Sequence, residues 1–559
     1  MVLSRGSTGS DVRDLQGKLV KLGFLSSSPS GTFDAETESA VKNFQAQRPW
    51  LLIDGVVGNM TLSEINDALS ELDGQDALKT FALGSRSLDM ASLRRNPLLG
   101  LAIQRCLRGL GLYPGGKLID GDFGPRSQAA LKDFCNRSGI SVTTPLQLTP
   151  AIADKLLTTP QILSVLNDAK NTGRISTQYL DFQKAVGAND AKLGFLDMGA
   201  QQSPFKESIY RGKEFLAATR SAGVKSSSPI SLSFSNYPNI GSEPTINISS
   251  LNFLGSDITE ACICLGHFDG GQLTTSWLGK KTFDLVECWS ASKIIPILNV
   301  LCKVGNRIPG NPNDLILKNT GSAGRQFELP NALVDICSYR ISVDHSNALS
   351  ATLNAFEDNR ERWIKNQTGN ARAIQFGGKY GVTATIGVPE IRDRSSPPHS
   401  PAILDSQSTA TGGNLISAYD LTRFISFVGW HGLLSNTQRL PGISDRGIEQ
   451  AVIALGTDTA RYVDTAISTL GLENVIDSLV VLSKLGFGVS PRRNVAELVY
   501  TAFAQFIDKQ NPTEPKLRSF ALTLRTSKPS GNGVAIEVDT AIATAVTEIV
   551  RRIVTEDFS

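Results

Sequence analysis

The stretch Glu287-Cys-Trp-Ser290-Ala-Ser-Lys293-Ile-Ile-Pro-Ile-Leu-Asn-Val-Leu301 sets a Ser-x-x-Lys pair at the head of an apolar helical run. Residues three apart on a helix share a face, so the Lys293 amine comes within reach of the Ser290 hydroxyl. A serine hydroxyl is barely ionised near neutral pH and needs such a base before it can attack an acyl carbon. Ser39-Ala-Val-Lys42 and Ser203-Pro-Phe-Lys206 repeat the spacing. The surroundings, not the string, must single one of the three out.

The 559 residues suffice for about three or four domains with ample core. Formal charge is +2, with 55 lysines and arginines against 53 aspartates and glutamates, so no basic field is present to recruit nucleic acid. No apolar run reaches the roughly 20 residues that span a bilayer. The opening Met-Val-Leu-Ser-Arg-Gly lacks the regions of a secretory signal, so no Sec address is expected and the export route stays open. Seven cysteines, odd in number and scattered, read as free buried thiols, with Cys262 and Cys264 as same-face strand residues. Four separated histidines (267, 345, 399, 431) offer no zinc-site spacing, so neither metal nor cofactor is expected.

Upstream, Val12, Leu15, Leu19 and Leu22 recur at helical spacing and Gly23-Phe24 closes that helix. A second helix from about Asp34 to Gln45 carries Ala40, Val41 and Phe44, and Asp54-Gly-Val-Val-Gly58 turns into a third. Gly31-Thr-Phe33 through Phe44 overlays Gly121-Asp-Phe123 through Phe134, which is an internal repeat. Gly6-Ser-Thr-Gly9-Ser-Asp-Val12, Leu15-Gln16, Leu22-Gly23-Phe24, Gly31-x-Phe33-Asp34, Phe44-Gln45 and Asp54-Gly55-x-x-Gly58-x-x-Thr61 resemble the three-helix peptidoglycan-binding domain. The resemblance covers 1–70. A second, degenerate copy at 96–157 keeps Gln104, Gly111, Gly121, Phe123 and Phe134 without a second Asp-Gly turn. Peptidoglycan is the partner this resemblance implies, through a shallow groove of helix ends and loops.

A mixed helical linker follows at 158–224, where Ser203-Pro204 reads as a helix cap with proline in the first turn. From about Thr259 the period changes. Ala261 to Phe268 and Gln272 to Trp277, joined at Asp269-Gly-Gly271, form a hairpin, and the Ser290 helix comes next. A long helical region extends from about Pro330 to Ile453. Strand patterns then run over Val475 to Leu482, Ala496 to Phe506 and Leu517 to Arg525, before an amphipathic helix from Thr540 to Val554.

This order over 225–559 resembles the serine beta-lactamase and penicillin-binding-protein family, in a class A-like form. The implied architecture is multidomain: two small all-α bundles, then an α/β domain with an antiparallel sheet, flanking helices and an all-helical insertion. The family's three elements carry over residue by residue. Ser290 becomes the acylated nucleophile and Lys293 its base. In Asp344-His345-Ser346-Asn347, Asn347 takes the position that holds the substrate amide and His345 the position of the usual serine, with Ser346 available by a one-residue shift. Lys484-Leu485-Gly486 supplies the third element, since Lys192-x-Gly194, Lys303-x-Gly305 and Lys379-x-Gly381 lack a strand setting. Backbone N–H groups of Ser290 and Phe487 become the oxyanion hole. Leu485 replaces the hydroxyl residue that grips a carboxylate, with Arg492 or Arg493 as compensating cations. Glu390 is the candidate deacylation base for a true beta-lactamase.

The leading expectation is a wall-targeted serine acyl hydrolase of D,D-peptidase type, acting at the bacterial cell wall. The rival is a catalytically degenerate peptidoglycan-binding structural or docking component, of a phage-tail-like or contractile injection particle, with protein partners of its own.

Overall fold

The computed structural model describes residues 2–558 apart from 47–52, 111, 114–118, 142–143, 159–165, 167–168, 186, 192, 195–224, 227–231, 270–271, 308–311, 321–325, 398–399, 473–475, 509 and 511–515. Ser203 to Lys206, most of the 158–224 linker and Gly111 fall outside the described residues. The chain divides into two units, Met1–Asn171 with Ile467–Asn474, and Thr172–Ala466 with Val475–Ser559.

In the first unit, helices α1 (Ser10–Lys21), α2 (Ala35–Ala46) and α3 (Asn59–Ala82) enclose Val12, Leu15, Leu19, Phe33, Val41, Phe44 and Ile65. Helices α4 (Pro97–Gly109), α5 (Pro125–Arg137) and α6 (Pro150–Thr158) enclose the matching Leu99, Ile103, Leu107, Phe123, Leu131 and Phe134. One device recurs. The buried Gln16 amide accepts from Gly31 N at 2.8 Å and donates to Thr32 O and Thr37 Oγ1, both at 2.9 Å. Gln45 treats Gly55 N (2.9 Å) and Val56 O (3.0 Å) alike, and Gln104 treats Gly121 N (2.8 Å) and Ser127 Oγ (3.1 Å) alike. Each clamped glycine has a φ between 75° and 81°, where a side chain is strained. Each of these turns thus pairs one glutamine with one left-handed glycine, and helix α3 runs on to Ala82 and packs on α4 and α6.

The second unit is built on an antiparallel sheet. Strands β1 (Ile258–Asp269), β2 (Gln272–Lys280), β3 (Ile476–Ser490), β4 (Val495–Asp508) and β5 (Lys516–Pro529) pair in the order β3-β4-β5-β1-β2. Helix α7 (Ala418–Trp430) and helix α8 (Val534–Thr555) both pack on β4 and β5. Strand β4 is accordingly buried along almost its whole length, and its sequence is a near-continuous apolar run rather than an alternating one. Ser417 caps α7 through a reciprocal bond pair with Asp420.

Two expectations change. The segments read as ending near Leu482 and restarting at Ala496 are two long strands, so Lys484 and Gly486 sit inside β3 rather than at a strand end. The insertion is not purely helical, because Leu315–Asn319, Gln326–Glu328, Pro389–Asp393 and Leu404–Asp405 form a small sheet, and Val286–Glu287, Gln375–Phe376 and Asn414–Ile416 another. Strands of two to five residues are too short to display a period of two.

At the α7 and sheet interface, a Cβ on Gly429 would lie 2.2 Å from the Phe503 ring. Gly429→Ala is expected to destabilise the second unit by about 1–3 kcal/mol through overpacking, despite alanine's better helix propensity. Thermal unfolding checks this, and an unchanged or raised melting temperature contradicts the packing described.

Candidate active site

Ser290 and Lys293 lie in a tight 3-10 turn, Trp289–Lys293, that leads directly into the buried helix Ile294–Arg307. With three residues per turn, positions i and i+3 eclipse, which sets the lysine stem directly behind the serine. Ser290 is half-buried and Lys293 wholly buried. The other spacing match within the described residues has a different fate: Lys42 is paired to Glu38 at 2.6 Å on α2.

Strand β3 crosses this turn at backbone contact. A Cβ on Gly486 would stand 2.3 Å from Cys288 O and 2.8 Å from Ser290 N, and one on Gly488 would stand 2.3 Å from the Trp289 ring. Only glycine permits that approach. Phe487, between them, is half-buried. Trp289 adopts φ 48°, and its indole N–H donates to Glu497 at 2.9 Å. Glu497 is held in turn by Arg525 and by Arg493 at 2.7 Å, so a buried charge network fixes the residue before Ser290.

Lys293 Nζ donates to Ser346 Oγ at 2.8 Å and to Asn347 Oδ1 at 2.6 Å, and Ser346 Oγ in turn donates to Ile336 O at 2.7 Å. Burial, reinforced by the charge of Lys484, holds the Lys293 pKa well below the ordinary lysine value. The Tyr339 and Tyr380 rings stand 5.3 and 5.4 Å from its amine. Lys484 meets Asp458 at 2.9 Å with both side chains fully buried. Burial opposes the Lys484 ammonium, but the Asp458 carboxylate outweighs it and the net shift is upward. Lys484 also donates to the Tyr339 hydroxyl at 2.7 Å, and that hydroxyl donates in turn to Leu485 O at 3.2 Å. Burial raises the Tyr339 pKa, keeping the phenol protonated beside the Lys484 ammonium.

Ser290, Lys293, Ser346, Asn347, Lys484 and Gly486 therefore converge. His345 does not take the place expected of it. Ser342 caps helix Val343–Asn354, and the helical turn that follows aims 346 and 347 at Lys293 while His345 lies 3.7 Å from Asp335 and against Phe327. Glu390 is also elsewhere: it sits on strand Pro389–Asp393, buried, held by Arg392 at 2.6 Å and Lys318 at 3.7 Å. Arg492 is exposed in the turn beyond Ser490, and Arg493 is bound to Glu287 and Glu497. Tyr339, Tyr380, Asp458 and Glu497 were not legible as site residues. The left-handed φ of 52° that swings Tyr339 off its helix end has no sequence signal beyond a helix stopping without glycine.

Residues 8–65 match the family described as "Putative peptidoglycan binding domain". Among curated proteins, the chain is 32% identical over 109 residues to N-acetylmuramoyl-L-alanine amidase CwlM of Mycobacterium tuberculosis (strain ATCC 25618 / H37Rv), covering 20% of this chain and 24% of that protein. It is 30% identical over 149 residues to N-acetylmuramoyl-L-alanine amidase CwlL of Bacillus licheniformis, covering 25% and 41%. The chain thus spans less than half the length of either relative. Among solved structures, similarity extends to a beta-lactamase from Chitinophaga pinensis DSM 2588 (12% identity, TM-score 0.31, 52% of this chain and 93% of that one). It extends also to a peptidoglycan synthetase from Bifidobacterium adolescentis ATCC 15703 (11% identity, TM-score 0.25, 53% and 56%).

Removing Lys484 alone leaves Asp458 as an unpaired buried charge. Lys484→Met is expected to destabilise the second unit by about 3–5 kcal/mol, and the double change Lys484→Met with Asp458→Asn to recover most of that loss. Denaturant titration separates them; equal loss in both variants contradicts the pairing.

Proposed function

We propose that the chain is a peptidoglycan-targeted serine acyl hydrolase that forms an acyl-enzyme at Ser290 on cell-wall stem peptides. The observation that carries this reading is the eclipsed Ser290–Lys293 pair, with an amine whose pKa burial and Lys484 depress. An unprotonated Lys293 takes the Ser290 proton as Oγ bonds to the scissile carbonyl carbon. Charge developing on the carbonyl oxygen is met by the N–H groups of Ser290 and Phe487 where β3 crosses the turn. The Oδ1 of Asn347 is engaged by Lys293, which leaves its Nδ2 to donate to a substrate carbonyl. Lys293, held by Ser346 and Asn347, then gives that proton to the leaving amine as the amide C–N bond breaks. Water then adds to the acyl carbon and releases Ser290. In this reading Ser346, not His345, holds Lys293 in place, and Glu390 has no part.

The match at 8–65 supports delivery to peptidoglycan, and the two amidase relatives support action at the bacterial cell wall. D,D-peptidase chemistry is the form we assign, with export route and partner proteins open. Among the described residues no helix is long and apolar enough to cross a membrane.

A neutral fluorophosphonate is expected to label the native chain once, with Ser290→Ala unlabelled. Because only the unprotonated amine serves, labelling should rise with pH and level off well below the ordinary lysine value of 10.5. No adduct, or a rise centred at the ordinary lysine value, contradicts the assignment. Incubation with insoluble peptidoglycan should move the chain into the pellet and release stem-peptide fragments; a chain left in the supernatant removes the targeting role.

A further inference from the structure

The cations around Ser290 are already spoken for. Lys484 has three N–H donors, and these go to Asp458 at 2.9 Å, the Tyr339 hydroxyl at 2.7 Å and Leu485 O at 3.3 Å. Its charge is cancelled by a carboxylate that is itself 0% exposed and fixed by Leu485 N at 2.9 Å, so the pair cannot swing apart to greet a ligand. Arg493 is bound to two glutamates, and Arg525 lies between Glu260 and Glu497. Lys293 leans toward the neutral amine. The side chain that follows Lys484 is Leu485, buried and without a hydroxyl.

The segments that carry the site also expose apolar side chains. Ile341 and Val343, which link Tyr339 to the helix bearing Asn347, are 59% and 58% exposed, and Val489 on β3 is 45% exposed. Arg492 stands in the turn past Ser490. Four strand steps separate Ser490 from Gly486, roughly 13 Å at about 3.3 Å per residue. Lys379 is exposed to water beside Tyr380. Rim charges of that kind are screened and hold a carboxylate weakly. A carboxylate brought next to the scissile bond would lose its hydration without gaining a cation, which is the costly case for a buried charge.

We infer that the Ser290 cleft takes acyl donors whose leaving side carries no free carboxylate beside the scissile bond: a peptide bond that continues into an amidated or apolar residue, or an ester. This rests on the reading of Ser290 as the nucleophile. It sharpens that reading from a terminal-carboxylate peptidase toward an endopeptidase or esterase of the same acyl-enzyme chemistry.

The test uses the full chain and a matched pair, hippuryl-thioglycolic acid and its methyl amide, which differ only in that carboxylate. In each, Ser290 Oγ bonds to the hippuryl carbonyl carbon, the C–S bond breaks, and the thiol leaves with the serine proton. Acylation is followed by intact mass and thiol release. The amide is expected to react at least about tenfold faster than the acid, the equivalent of one weak charged hydrogen bond withheld. An acid that reacts as fast as the amide or faster overturns the inference while leaving the nucleophile in place. Reaction with neither overturns it too, and the fluorophosphonate then separates the cases: label on Ser290 means that the substrate class alone is wrong, and no label means that the nucleophile assignment falls with it.

Discussion

Lys484 and Asp458 meet at 2.9 Å inside the second unit, with neither side chain reaching water. An isolated charge in that position would be neutralised or expelled, so each residue's presence depends on the other. Asp458 spreads its two oxygens over Lys484, Leu485 N and Ser483 Oγ, and so ties the middle of a fifteen-residue strand to the helical insertion. That anchored strand is the one whose glycines let its backbone lie against Ser290 N. The positive charge it carries also helps to keep Lys293 unprotonated. One ion pair thereby sets the position of the serine turn and the basicity of the group behind it.

A second network holds the same turn from the opposite side of the chain. Trp289 is forced into a left-handed backbone and is held there by Glu497, which Arg493 and Arg525 share. Strain of this kind survives only where surrounding contacts over-determine it. Here the indole ring packs over Gly488 while its N–H is bonded to a buried carboxylate. The geometry of the Ser290 turn is thus imposed by long-range partners rather than by the local helix.

This division explains what the sequence could tell. Ser290 with Lys293, the Gly486 approach and Asn347 are legible because a short motif and a change of period from 2 to 3.6 mark them. The glutamine and glycine clamps of the first unit are legible because they recur. His345 misleads because a three-residue string does not say which side of a helix faces inward, and a helix advances about 100° per residue. Asp458 in Thr457-Asp458-Thr459 looks like any turn aspartate, and its partner is 26 residues away. Tyr339 reaches the site only because its backbone turns left-handed at a helix end. Glu390 reads as a loop residue until its strand pairs with Lys318 and closes an ion pair.

The central claim is that Ser290 is an activated nucleophile whose oxyanion is received by its own N–H and that of Phe487. A crystal structure of the full chain with phenylboronic acid tests it most directly. The account predicts a tetrahedral boronate bonded to Ser290 Oγ, with one boron oxygen within hydrogen-bond distance of both backbone nitrogens. An unmodified Ser290 at saturating boronic acid, or boron bound to another residue, would contradict it.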